Sequence, residues 1–106
     1  MRRGEIRWYT FALPDKRRPV LVLTRDAVIG ALHELIVVPV TRTIRGLATE
    51  VILSDADGMP TACALNLDHV SLARRARIGP MLTTLPDARW PEVQAALLAA
   101  CGFTAH

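Results

Sequence analysis

Two guanidinium groups stand immediately ahead of a proline in Arg17-Arg18-Pro19, and the apolar run Val20-Leu21-Val22-Leu23 follows at once. A run of that kind, cut off by Thr24-Arg25-Asp26, reads as a central strand buried on both faces. Proline cannot donate to a sheet ladder, so Pro19 belongs at the strand's first residue, where it also holds Arg18 extended. Arg18 then stands at the mouth of a well-anchored strand. A guanidinium fixed there suits a phosphate, because its planar fork meets two oxygens at once and stays charged at every working pH. The pair equally fits a solvated strand edge, and these residues by themselves leave both readings open.

Other groups with chemical potential are few. His69 has a ring suited to proton transfer, and it also fits a strand histidine held by a structural hydrogen bond. Asp55-Ala56-Asp57-Gly58 echoes a calcium loop, but the remaining ligands and the closing glutamate are missing, so it reads as a solvated acidic turn. Cys63 and Cys101 lie among alanines and leucines and are expected to be small buried hydrophobes. With three scattered histidines, they offer too few ligands for a structural zinc site. No metal or other cofactor is expected.

At 106 residues the chain is expected to form one domain with one modest core. Apolar residues make up 51%, which argues against disorder, and no run approaches the length of a membrane span. Met1-Arg2-Arg3-Gly4-Glu5 lacks the apolar segment of a signal peptide, so a cytoplasmic protein is expected. The net charge of +3 permits a polyanionic partner. Lys16 is the only lysine, and arginine is the better phosphate reader, although an alanine-rich, lysine-poor chain can also reflect genomic base composition.

The elements that must position these groups are short. Residues 5–11 read as a first strand, 12–17 as a turn containing Pro14 and Asp15, and 25–34 as a loop with a helical turn around Ala27–Ala31. Leu35–Thr41 is an apolar strand whose Pro39 points to an edge position or a bulge. A basic connection over 41–46 leads to a fourth strand at Thr49–Leu53. Between Ala62 and Leu72 the apolar parity switches, Leu65 and Leu67 sharing one face and Val70 and Leu72 the other. A bulge or bend near Asp68–His69 repairs the mismatch and re-aims the polar side chains there. Arg74-Arg75-Ala76-Arg77 is a basic cluster. Asp87–Cys101 reads as a helix with Trp90, Val93, Leu97 and Cys101 on one stripe, Pro91 in its first turn and Gly102 as its stop. About five or six strands and one terminal amphipathic helix suggest a mainly β, small barrel packed by a helix.

Arg-Arg-Gly-Glu-Ile at 2–6, Arg-Pro-Val-Leu-Val at 18–22, Val-Pro-Val-Thr at 38–41 and Asn-Leu-Asp-His-Val at 66–70 follow one another in that order. With the helix closing on Gly102, the ordered set resembles the MazF/PemK toxins of bacterial type II toxin–antitoxin systems over nearly the whole chain. The resemblance implies an SH3-like barrel spanning residues 1–106, working as a homodimer without metal. It implies an endoribonuclease that cuts single-stranded RNA at short motifs, mostly messenger RNA and sometimes tRNA or rRNA, and is held inactive by a cognate antitoxin. Residue by residue, the family's catalytic arginine corresponds to Arg18 and its threonine to Thr41. Arg18 would neutralise the phosphate and assist the leaving 5′-oxygen, and Thr41 would hold a non-bridging oxygen. An acid that some members carry aligns with Leu67, one position from Asp68, which a bulge would bring into use; Asn66 and Asp68 are both expected RNA contacts, Asn66 the better placed. Lys16, Arg17, Arg42 and Arg45 are expected to form a basic surface binding RNA phosphates beside the site.

Two further classes share the pattern. A related toxin group with this barrel binds DNA gyrase without cutting RNA, against which the Arg18 and Thr41 pair and the basic loop argue. A non-catalytic SH3-like module would bind RNA or peptide only.

Overall fold

In the computed structural model, which describes residues 1–12 and 16–103, the strand that begins at the two arginines spans Arg17–Val22 (β2). Pro14 and Asp15 of the expected turn lie outside the described residues. β2 pairs antiparallel with β1 (Glu5–Thr10) on one side and β3 (Glu34–Thr41) on the other. Its burial is two-sided. Leu21 faces a core with Ile6, Val38 and Leu65, while Val20 and Val22 pack on the opposite face with Val37 and Leu35. All three residues are fully buried, and each such side chain contributes about 1.5–3 kcal/mol.

Pro19 is the third residue of β2, not the first. The reason lies in the direction of its missing donor. Val22 accepts from Gly4 through its carbonyl, so the backbone groups of Val22, Val20 and Arg18 face β1. The nitrogen of Pro19 therefore faces β3. Arg17 and Arg18 can still pair with Thr10 and Tyr9 of β1, whereas the β2–β3 ladder ends at the Val20–Pro39 pair.

The sheet continues through β4 (Glu50–Leu53), β5 (Cys63–Asn66), β6 (Ser71–Arg74) and β7 (Met81–Thr84). Its seven strands run in the order β4-β5-β3-β2-β1-β7, with β6 also paired to β3. β3 thus has one partner on one edge and two on the other. Its first half pairs with β6, from Glu34–Arg74 to Val37–Ser71, and its end pairs with β5 at Val40–Leu65 and Thr41–Ala64. The extra chain on the partner side is taken up by a 3-10 turn at Leu67–His69, the bend that the parity switch required. Pro39 sits opposite this interruption. It is not on an edge strand, but its absent N–H falls where no ladder bond is made.

Seven strands exceed the number expected, because β7 was not foreseen and residues 62–72 divide into β5 and β6. The short helix α1 spans Asp26–Ile29, ahead of the expected 27–31. The terminal helix α2 spans Trp90–Ala100, with Pro91 in its first turn and a separate 3-10 turn at Asp87–Arg89. It packs on the core through Val93 and Ala96, supported by Trp90, Leu97 and Ala100. Gly102 ends it in the left-handed region (φ +76°), with Phe103 N–H donating to Leu98 O at 2.9 Å. Cys101 lies past the buried stripe and is exposed, contrary to expectation, while Cys63 is buried.

The acidic turn is likewise not a solvated loop. Asp57 is 7% exposed and receives two hydrogen bonds from Arg89 Nη1, at 2.7 and 2.8 Å. Ser54 N–H donates to its Oδ2 at 3.0 Å in a capping box. The other arms of Arg89 reach the carbonyl of Ile52 and the carboxylate of Glu92. One guanidinium therefore staples β4, the 54–58 turn and the start of α2. Burial pushes the Asp57 carboxyl upward, but the Arg89 hydrogen bonds, the Ser54 N–H and the Arg89 charge outweigh it and hold Asp57 below the usual carboxylate range.

A carboxyl with a depressed folded pKa stabilises the fold above its unfolded value, about 3.9, and loses that contribution as pH falls through the lower folded value. Asp57→Asn should therefore be markedly less stable than the native protein at pH 7, with the gap in urea-unfolding free energy narrowing below about pH 4. Arg89→Ala should cost about 3 kcal/mol at pH 7, because it leaves a buried charge unpaired. A native-to-Asn gap that is constant from pH 7 to pH 2 would show that Asp57 binds its proton equally in both states.

Candidate active site

Past the Val20–Pro39 pair, β2 is held by β1 and the end of β3 by β5. A cleft of about 390 Å³ opens in the fork. Its apolar lining comes from Trp8, Pro19, Val40, Met59 and Leu82, and its cations are Lys16, Arg17, Arg18 and Arg42. A second cleft of about 150 Å³ is lined by Arg18, Pro39, Thr41, Thr43, Arg45, Glu50, Asn66 and His69. Arg18 and Thr41 line both clefts and form the wall between them.

The two strand ends fix these side chains. Arg18 is half-buried opposite Tyr9 of β1, and no carboxylate of the described residues forms an ion pair with it. Thr41 pairs with Ala64 of β5. Its Oγ1 accepts the Thr43 N–H at 3.1 Å, which leaves the hydroxyl's own proton to donate to a ligand. A fixed cation and a hydroxyl donor thus stand together, as a phosphodiester oxygen pair requires.

The surrounding basic residues are held in different ways. Arg17 stacks on Trp8, its guanidinium carbon 4.6 Å from the ring centroid, a contact worth about 0.5–1 kcal/mol at an exposed position. Lys16 and Arg42 are exposed beside the larger cleft. Arg45 belongs to the smaller cleft, and its backbone is anchored by Glu50, whose Oε1 accepts the N–H of Arg45 at 3.0 Å and of Leu47 at 3.1 Å. Glu50, Thr43 and Trp8 are site residues that sequence reasoning missed. Glu50 begins a strand and Trp8 sits inside one, so neither carries a local signal of its role.

The 67–69 turn presents two of its neighbours to the cleft and withholds the third. Asn66 Oδ1 accepts the Asp68 N–H at 3.1 Å, and Asn66 Nδ2 lies 3.4 Å from His69 Nδ1. Both Asn66 and His69 line the smaller cleft. Asp68 lines neither; its carboxylate accepts the Thr49 hydroxyl at 2.6 Å and ties the turn to the approach to β4. The expected RNA contacts Lys16, Arg17, Arg42, Arg45 and Asn66 are therefore brought together around Arg18 and Thr41, and Asp68 is not.

Cys63 forms part of the larger cleft's wall. Burial pushes its thiol pKa up, the nearby Asp57 charge adds to this, and Arg42 offsets them in part, so the thiol is a neutral surface at neutral pH. Among the described residues no cluster of three or more His, Cys, Asp or Glu could hold a metal ion. No helix among them is long and apolar enough to cross a membrane.

Comparison with known proteins gives a consistent picture. Residues 2–101 match the family model described as the PemK-like, MazF-like toxin of type II toxin–antitoxin systems. A protein of Mycobacterium tuberculosis named probable endoribonuclease MazF2 is 40% identical over 103 residues, covering 96% of this chain and 99% of its own. The solved Mycobacterium tuberculosis toxin MazF-mt6 superposes with a TM-score of 0.85 at 30% identity, covering 92% of this chain and 96% of its own. A crystal structure of MazE–MazF from Deinococcus radiodurans superposes with a TM-score of 0.80 at 28% identity, covering 96% of both chains.

The cationic rim should read as phosphate binding in solution. Each phosphate neutralised on a single strand adds roughly 0.7 to the slope of log affinity against log salt. Replacing Arg42 and Arg45 together by alanine should lower the slope for single-stranded nucleic acid by about 1.4, measured by fluorescence anisotropy across a salt series. An unchanged slope would mark both arginines as solvated surface.

Proposed function

The chain belongs to the PemK-like, MazF-like toxin family of type II toxin–antitoxin systems, and on that premise we propose that it cuts single-stranded RNA at the wall formed by Arg18 and Thr41. The observation that carries the proposal is the sharing of these two residues by two clefts. A chain laid across the wall places one phosphodiester on the guanidinium and hydroxyl, with a nucleotide on either side. The whole chain acts as one such domain, in the cytoplasm and without a metal.

The reaction uses the substrate's own nucleophile. The 2′-oxygen attacks the adjacent phosphorus in line, the bond from phosphorus to the 5′-oxygen breaks, and a 2′,3′-cyclic phosphate and a 5′-hydroxyl result. The proton lost from the 2′-hydroxyl is balanced by the one gained at the 5′-oxygen. Arg18 neutralises the crowded phosphate and hydrogen-bonds the oxygen on which charge develops, and the Thr41 hydroxyl donates to a non-bridging oxygen. Glu50 is committed to two backbone N–H groups, so this reading assigns the protein positioning and charge stabilisation, not a carboxylate base. Lys16, Arg17 and Arg42 hold the phosphates on one side of the wall, with Arg45 and Asn66 on the other.

The cognate antitoxin is proposed to occupy the same clefts. Four cations around an apolar lining suit an extended segment that is both acidic and apolar, which orders on binding and is steered by its charge. The active species is proposed to be a homodimer. Ile36 and Leu72, paired across β3 and β6, are 43% and 58% exposed and offer apolar surface for it.

Purified protein should cut single-stranded RNA in EDTA. Arg18→Ala and Thr41→Ala should each lower the rate by about 10²–10³, with thermal melts showing that both variants stay folded. A folded Arg18→Ala protein of native activity would end the assignment. Light scattering on a sizing column should give twice the chain mass at micromolar concentration, and a monomer that still cuts RNA would refute the dimer.

A further inference from the structure

We infer that Glu50 is a positioning residue for the cut: its carboxylate gathers the 42–49 loop into the shape in which the Thr43 N–H sets the direction of the Thr41 hydroxyl. The inference rests on the RNA-cutting reading of the Arg18 and Thr41 wall and adds what aims its hydroxyl.

The loop has little else to hold it. Both its ends are stationed by β5, Thr41 opposite Ala64 on one side and Glu50 opposite Asn66 on the other. Between them the chain runs outside the core, with Thr43 exposed and Ile44 and Leu47 42% and 48% exposed. A segment with so few buried contacts takes its shape from hydrogen bonds, and those of this loop converge on Glu50. Its Oε1 accepts the Arg45 and Leu47 N–H groups, and its own N–H donates to the Leu47 carbonyl at 3.1 Å. Gly46, between the two donors, lies in the left-handed region at φ +72°. That conformation turns neighbouring N–H groups toward one point and makes a small anion nest. The Glu50 carboxylate fills the nest from within the chain.

The other end of the loop meets the chemistry. The Thr43 N–H donates to Thr41 Oγ1 at 3.1 Å. A hydroxyl oxygen that accepts on one side turns its own proton elsewhere, so this bond decides which phosphate oxygen the Thr41 proton meets. A donor already aimed at developing charge stabilises it more than one that must reorient during the reaction. Glu50 touches neither the phosphate nor the leaving oxygen; it acts through the loop. Its second oxygen, Oε2, makes only a long contact of 3.4 Å to the Arg45 N–H and brings negative charge to the smaller cleft. The two effects of Glu50 are therefore separable. Orientation of the hydroxyl acts on kcat, and the charge weakens the hold on RNA phosphates.

The test compares Glu50→Ala, Glu50→Gln and Gly46→Ala in the full chain, each alone and combined with Thr41→Ala, for kcat and KM on one short RNA. Glu50→Ala should lower kcat about tenfold, a part of the 10²–10³ expected for loss of the hydroxyl itself. Gly46→Ala adds a methyl group where no atom lies within 4 Å, so its effect comes from the strained turn, and it should lower kcat likewise. Glu50→Gln keeps an acceptor oxygen and removes the charge; it should recover most of kcat and lower KM. With Thr41→Ala in place, Glu50→Ala should cost less than about twofold more, because residues acting through one another are not additive. Full additivity, or a Glu50→Gln protein as slow as Glu50→Ala, would overturn the inference. The Thr43 amide resonance, which Glu50 does not contact directly, is followed in parallel. It should shift in Glu50→Ala and Gly46→Ala and return in Glu50→Gln. Such a shift in a protein that does not cut RNA would support the coupling and refute the nuclease reading, whereas cleavage with an unmoved Thr43 resonance would refute the coupling alone.

Discussion

A single absent hydrogen-bond donor shapes this site. Backbone N–H groups must be paired wherever a sheet is buried, and β2 presents a residue without one to its neighbour β3. The ladder ends at the Val20–Pro39 pair for that reason. Before it, two-sided burial of Val20, Leu21 and Val22 locks the strands together. After it they part, and Arg18 and Thr41 are left together as the wall between the two clefts. Pro39 completes the arrangement from the other edge, where β3 changes partner from β6 to β5 and no ladder bond is needed.

The polar groups around the fork are anchored by carboxylates that bind the protein's own groups. Glu50 gathers the 42–49 loop by accepting two of its N–H groups. Asp68 fastens the 67–69 turn through Thr49. Asp57, on the far side of β4, clamps Arg89 and with it the start of α2. These three carboxylates hold the protein's own backbone and side chains, and the walls of the clefts carry a surplus of positive charge. That division explains how a chain with ten acidic and thirteen basic residues presents a cationic site without a large excess of positive charge.

What could be read from the sequence was what burial and short-range geometry impose. The apolar run after Pro19 and the stripe Trp90, Val93 and Leu97 are periodic because they face a core, and the parity switch at 65–72 demanded a bend. Long-range partners were not readable. Asp57 looked solvated because its counter-ion lies 32 residues away. Pro39 looked like an edge residue because the change of partner along β3 depends on two distant strands. Cys101 was placed inside by its neighbours, yet the helix turns it outward one step past Ala100. β7 escaped notice as four residues between Pro80 and Leu85 with no clear alternation. Thr41 emerged through a family resemblance and not through its own spacing, and the turn's choice of His69 over Asp68 depends on side-chain direction that parity alone does not specify.

The two-sided burial of β2 has a consequence for how such a protein can be silenced. Strand side chains alternate, so a slip of one residue against β1 would swing Leu21 out of the main core as it swung Arg18 away from Thr41. Folding and site assembly are therefore one event, and no compact misregistered form offers a harmless resting state. Control must come from a molecule that covers the finished site, or from the supply of the chain itself.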